Sequence, residues 1–132
     1  MTELEKTLRA IARDVFADLG TGQEEKVYQR AMEVDLRLRG LSYDSERVLE
    51  LRYKDHYVGE GYADLIVRDG AEIWILELKT VPGSLSDSET QQLRKYMRTL
   101  QINNGLLVNF FRPTRSRKKK LPEDGPEFEN VE

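Results

Sequence analysis

The sequence predicts an α/β domain built on a mixed β-sheet flanked by helices. Three observations predict it: two amphipathic helical patterns before Gly40, three β-rich runs separated by short polar turns, and one more helical segment between the third run and a fourth. Strands joined by tight turns pair antiparallel, whereas a strand reached through a helix returns parallel. The expected sheet is therefore an antiparallel meander plus a crossover strand.

Thr2 and Glu5 have the spacing of a capping box, and Leu4, Leu8, Ile11, Ala12, Val15, Phe16 and Leu19 then recur at helical spacing up to Gly20. A second helix is expected from about Gln23 to Arg39, stopped by Gly40, with Val27, Ala31, Val34 and Leu38 as its core stripe. Glu25, Tyr28, Met32 and Asp35 fall on a neighbouring face, so Glu25 lies near the core without belonging to it.

Beyond Gly40 the pattern becomes β-like. Val48 to Tyr53, a polar turn at Lys54-Asp55-His56, and Tyr57 to Arg68 read as two strands, and Asp69-Gly70 signals a hairpin. Glu72 to Lys79 is apolar on both faces, which places it centrally in the sheet. Val81-Pro82-Gly83-Ser84 ends that strand. Ser88 with Gln91 suggests a second capping box, followed by a helix from about Glu89 to Ile102 and a strand from Gly105 to Phe111 that Pro113 closes. From Thr114 onward, charge blocks, two prolines and scarce apolar residues predict a flexible tail, leaving residues 1–113 as the single folded domain and 114–132 outside it.

Composition narrows the chemistry. At 132 residues and 39% hydrophobic content the chain suits one domain with an ordinary core. The absence of cysteine excludes disulfides, zinc–thiolate sites, iron–sulfur clusters and thiol nucleophiles, and a single histidine, His56 in a turn, removes most histidine-based catalysis. No run of eighteen apolar residues exists, and Glu3 and Glu5 are unlike a signal peptide, so the expectation is a cytoplasmic protein with no membrane partner. The net charge of −3 argues against nonspecific coating of nucleic acid. Six basic residues lie between Arg112 and Lys120 and five acidic ones between Leu121 and Glu132, a pattern usual for a solvated tail.

The chemistry concentrates at Glu77-Leu78-Lys79. Residues two apart on a strand share a face, so Glu77 and Lys79 point together, and Asp64 heads the preceding strand. Charges within an apolar segment are costly unless paired or bound to a metal. On the residues alone two accounts stand, a buried ion pair or a metal-dependent active site. In the second, Asp64 and Glu77 supply the oxygen ligands that a hard divalent cation needs, Lys79 orients a water and offsets charge on an attacked phosphate, and Glu25 approaches from the second helix as a further ligand or as acceptor for that water. Three such anions without a cation would repel by ~1 to 4 kcal/mol per close pair.

An Asp, a gap and then Glu-x-Lys on adjacent strands resembles the motif of the PD-(D/E)XK nuclease superfamily. Gly22-Gln23-Glu24-Glu25-Lys26-Val27-Tyr28 is similar to the naming motif of its GxxExxY proteins, as are Gln92 to Tyr96 to their following helix and Gly105 to Phe110 to their last core strand. This resemblance spans about Gly22 to Phe111; Ala63 stands where the superfamily often has proline. It implies a restriction-endonuclease-like fold and a nuclease dependent on magnesium or manganese that acts on nucleic acid, DNA before RNA. It also implies metal ligation by Asp64, Glu77 and the Leu78 backbone carbonyl, with Glu25 assisting, and a role for Gln92 in orienting substrate or a metal-bound water. Tyr28 and Tyr96 are auxiliary positions better suited to packing with a satisfied hydroxyl than to catalysis. Arg94, with Lys95 and Arg98, is expected to meet the phosphate backbone. A homodimer is expected only by analogy with small nucleases that cut two strands. A different class of function, a noncatalytic nucleic-acid or protein-binding module on the same fold, is suggested by the short chain and its lack of a specificity domain.

Overall fold

The Thr2 hydroxyl accepts the Glu5 N–H at 3.2 Å and opens helix α1 (Glu3–Leu19), in a computed structural model that describes residues 1–113 and 125–132. Glu5 leaves the capping box incomplete because its carboxylate takes two hydrogen bonds from Arg9, one turn along the helix. The expected stripe is buried from Leu4 to Val15.

Helix α2 (Glu25–Leu38) buries a different face from the one its periodicity suggested. Tyr28, Met32 and Leu36 are fully buried, while Val27, Val34 and Leu38 are 38%, 47% and 78% exposed. Two stripes at helical spacing were available, and the larger side chains win. Tyr28 stacks flat on Phe110 with ring centroids 4.2 Å apart, which fixes the rotation of the helix.

Strands β1 (Ser42–Tyr53), β2 (His56–Asp69) and β3 (Glu72–Lys79) form the expected antiparallel meander. Helix α3 (Asp87–Leu100) carries the chain over to β4 (Asn104–Asn109), parallel to β3. Its capping box is Ser86 with Glu89, two residues earlier than expected, and Glu89 accepts the Ser86 N–H at 2.9 Å. β5 (Glu127–Val131) then pairs antiparallel with β4, giving the sheet order β1-β2-β3-β4-β5 with β3 at the centre. Trp74, Leu76 and Leu78 of β3 face the core under α1 and α2, while Ile75 faces the core under α3.

β5 corrects the expected boundary at residue 113. Its acidic composition conceals a short strand whose charges are placed and whose apolar residues are used. Glu127 accepts the Leu85 N–H and Glu129 the Thr90 hydroxyl, both at 2.9 Å. Phe128 lies under the guanidinium groups of Arg9 and Arg13, and Val131 is 1% exposed. The basic run from Arg115 to Lys120 lies outside the described residues. Among the described residues no helix is long and apolar enough to cross a membrane.

Candidate active site

Regular pairing between β2 and β3 ends at Leu65 and Leu76. The next pair would be Asp64 and Glu77, and there side chains replace the ladder. The Asp64 N–H donates to Glu77 Oε1 at 3.2 Å, and the Leu78 N–H donates to Asp64 Oδ2 at 2.8 Å. Beyond this point β2 continues only with β1, out to the Lys54-Asp55 turn, while β3 continues with β4 to Lys79 and Asn109. The two strand pairs diverge, and the carboxylates sit in the fork.

The twist at this fork has a backbone cause. Ala63 and Ile66 both join the core under α3, whereas Leu65 and Val67 join the opposite one, so the faces of β2 reverse around Asp64. Across from it, Glu46 adopts φ 54° and drops out of the β1–β2 ladder, which resumes at Arg47 and Ala63 in the same register. Glu46 is held by an ion pair with Lys26 of α2.

Helix α2 brings Glu25 to the same place through its preceding loop. Gly22 takes φ 97°, a conformation that favours glycine, and the Tyr28 hydroxyl donates to the Gly20 carbonyl at 2.6 Å and accepts the Gln23 N–H at 3.3 Å. Tyr28 is thus a packing and loop-anchoring residue, away from the chemistry. The helix then starts with Glu25 against the end of β3, its carboxylate accepting the Thr80 N–H at 3.1 Å and hydroxyl at 3.4 Å. From α3, Gln92 Oε1 accepts from Lys79 Nζ at 3.3 Å.

Tyr96 closes the floor of the fork. Its ring lies against Gly61, where a Cβ would stand 2.7 Å from the hydroxyl oxygen, so only glycine fits there. Burial, then the nearby charges of Glu77 and Asp64, raise the Tyr96 pKa.

Electrostatics identify the strained pair. Glu77 is 4% exposed, and burial followed by repulsion from Asp64 pushes its pKa up to about 8. The pKa of Asp64 is also raised, first by burial and further by Glu25, against the lowering effects of the Leu78 N–H and the Lys79 ammonium. Two adjacent carboxylates that resist ionising together, all-oxygen in character and reachable from the fork, suit a hard divalent cation completed by water and substrate phosphate. They do not form a closed cage: among the described residues no group of three or more acidic or histidine side chains is arranged to hold a metal.

The structure thus gathers Glu25, Asp64, Glu77, Lys79 and Gln92, as the sequence reading expected. Arg94 is not brought there. It points to the opposite end of the sheet, where its Nε reaches the Glu132 carbonyl at 3.4 Å and it lines a groove with Arg98 and Asn104. Residues 92 and 94 lie about 200° apart around the helix, so one face cannot serve both.

One residue was not anticipated. Asn109, fully buried, accepts the N–H groups of Val81 and Phe111, both at 3.0 Å, and donates to the Gly83 carbonyl at 3.1 Å and Glu127 at 3.2 Å. It fixes the loop that leaves Lys79. A lone amide inside the apolar run from Leu106 to Phe111 was the available signal.

Comparison with known proteins bears on the same fork. The chain is similar to the crystal structure of SSO0001, with TM-score 0.59 and 18% identity over 80% of this chain and 49% of that one. That likeness is one of fold, and the chain spans about half the length of SSO0001. Archaeoglobus fulgidus Hjc, a Holliday junction resolvase from an archaeal hyperthermophile, aligns with TM-score 0.45 and 19% identity over 80% of this chain and 71% of its own. No curated protein matches. Residues 2–121, which include every residue gathered at the fork, match the family model for the PD-(D/E)XK nuclease superfamily, and the chain belongs to that superfamily.

Proposed function

We propose that the protein is a magnesium-dependent nuclease of the GxxExxY subgroup that hydrolyses phosphodiester bonds of DNA and works as a homodimer. The observation that carries this reading is the pair of bonds across the end of the β2–β3 ladder, Asp64 N–H to the Glu77 carboxylate and Leu78 N–H to the Asp64 carboxylate, with Lys79 on the same face as Glu77. Asp64, Glu77 and the Leu78 carbonyl would hold the ion, with manganese an alternative. Bound there, it would polarise the phosphate and lower the pKa of a water.

The chain's own groups do the rest. Lys79 donates toward the attacking water and the phosphate oxygens, where a fixed ammonium offsets charge that develops in the transition state. Gln92 holds the Lys79 ammonium by its side-chain oxygen, which limits where that cation can go. Glu25 anchors Thr80 and so fixes the end of the catalytic strand, and its carboxylate stands near enough to Asp64 to assist metal or water.

The test is cleavage of supercoiled, linear and single-stranded DNA and of RNA by purified protein with magnesium or manganese. Lys79→Ala should lower the rate about a hundredfold to a thousandfold with an unchanged circular dichroism spectrum. Absence of cleavage on every substrate, or an unaffected variant, would overturn the catalytic assignment; binding that survives Glu77→Ala without metal would identify a binding module instead.

A further inference from the structure

We infer that two copies of this chain associate through the exposed stripe of α2, with the two α2 helices side by side and parallel. Val27, Ala31, Val34 and Leu38 are spaced four, three and four residues apart, the spacing of a seam between two helices. The fold leaves this seam on the outside. Val27, Val34 and Leu38 are all exposed, and Leu38, at 78%, is the most exposed large apolar residue described.

The charges beside the seam say what covers it. Arg30 and Arg37 lie along one side of it, with one Arg37 nitrogen donating to the Tyr43 hydroxyl and the rest of its guanidinium exposed. Along the other, Asp35 joins Asp14 and Asp18 of α1, and these line a shallow groove of about 280 Å³ with Ala31 and Val34. Asp14 pairs with Arg39 at 3.8 Å, the one ion pair these three make among the described residues. The surface is thus an apolar strip between a basic row and an acidic row.

Such a strip is complementary to itself under one two-fold operation. An axis parallel to α2 exchanges left and right, so the arginine row of each copy meets the aspartate row of the other. An axis that makes the helices antiparallel would set arginines against arginines and aspartates against aspartates, which costs association. Charge therefore selects the parallel arrangement. Because Glu25 opens α2, parallel packing brings both candidate sites to the same end of the dimer, where two strands of one duplex could be addressed. The interface deepens the homodimer of the proposed function and is independent of its catalytic part; that last consequence rests on the nuclease reading.

Sedimentation equilibrium of the full chain tests it. The expected result is a species of twice the 15.4 kDa chain mass that dissociates on dilution. Leu38→Glu should be monomeric with an unchanged circular dichroism spectrum, since the position is exposed in the single chain. Arg30→Glu with Arg37→Glu should also be monomeric, and adding Asp18→Lys and Asp35→Lys to that same chain should restore the dimer. A wild type that stays monomeric at every concentration, or a dimer indifferent to Leu38→Glu, overturns the interface. Failure of the row exchange to restore a dimer that Leu38→Glu abolishes overturns the parallel arrangement. None of these readouts depends on cleavage, so an inactive protein would leave them intact.

Discussion

Replacing Glu77 by glutamine removes one titrating group from the fork while keeping the oxygen that accepts the Asp64 N–H. In the metal-free protein the Glu77 pKa is raised from the ordinary 4.5 to about 8. Below pH 4.5 the carboxyl is protonated in both the native and unfolded chains and contributes nothing. Between those values the unfolded chain has released its proton and the native chain still holds it, so stability falls as pH rises, and the full penalty stands above pH 8. At about 1.4 kcal/mol per pH unit from 4.5 to about 8, that penalty is on the order of 5 kcal/mol, of which about 4 kcal/mol develops between pH 5 and pH 9. Urea denaturation in EDTA at pH 5 and pH 9 measures it. Wild type should lose stability by this order between the two conditions, whereas Glu77→Gln should lose far less and be the more stable protein at pH 9. Equal pH dependence of the two proteins would mean that Glu77 ionises freely, and the argument for a cation site from mutual repulsion would fail.

Magnesium should raise the melting temperature of wild type at pH 8, with a gain of about 2.7 kcal/mol at a hundred times the dissociation constant, and Asp64→Asn should show almost none of that gain by differential scanning fluorimetry. Asn109→Ala leaves the Val81 and Phe111 N–H groups without their acceptor, and a cost of about 3 kcal/mol is expected in chemical denaturation, with cleavage also reduced because the loop after Lys79 is released. Gly61→Ala should cost about 1–3 kcal/mol through the clash with Tyr96, and Tyr96→Phe should not rescue it, because ring carbons also stand within 3.0 Å of the new Cβ.

The sheet and the acidic core of the site were legible for a common reason. Charged residues inside apolar strands must be accounted for wherever they occur, so Asp64, Glu77 and Lys79 announced themselves, and the turn and helix signals between them set the strand order. Glu25 became legible only through the loop motif, which the structure explains by the Gly22 conformation and the anchored Tyr28 hydroxyl. The buried face of α2 was not legible, since Tyr28 chooses it by stacking on a residue more than eighty positions away. β5 was hidden because its glutamates satisfy backbone and hydroxyl donors on distant segments, and a count of charges reads them as solvated. Arg94 was misplaced because a helix that borders a site on one side does not border it on the other.

Glu127 also sets an order of events. The loop leaving β3 is held by Asn109 and by the Glu127 carboxylate, which takes the Leu85 N–H and the Asn109 amide together. A chain emerging from the ribosome exposes its N-terminal part first, so Lys79 is synthesised long before the residue that steadies the loop behind it. Until β5 has emerged and docked, the sheet can form its first four strands with that loop held by Asn109 and not yet by Glu127. The Glu127 contacts to that loop therefore follow the first four strands in synthesis, supplied by a strand that contributes no residue to the fork.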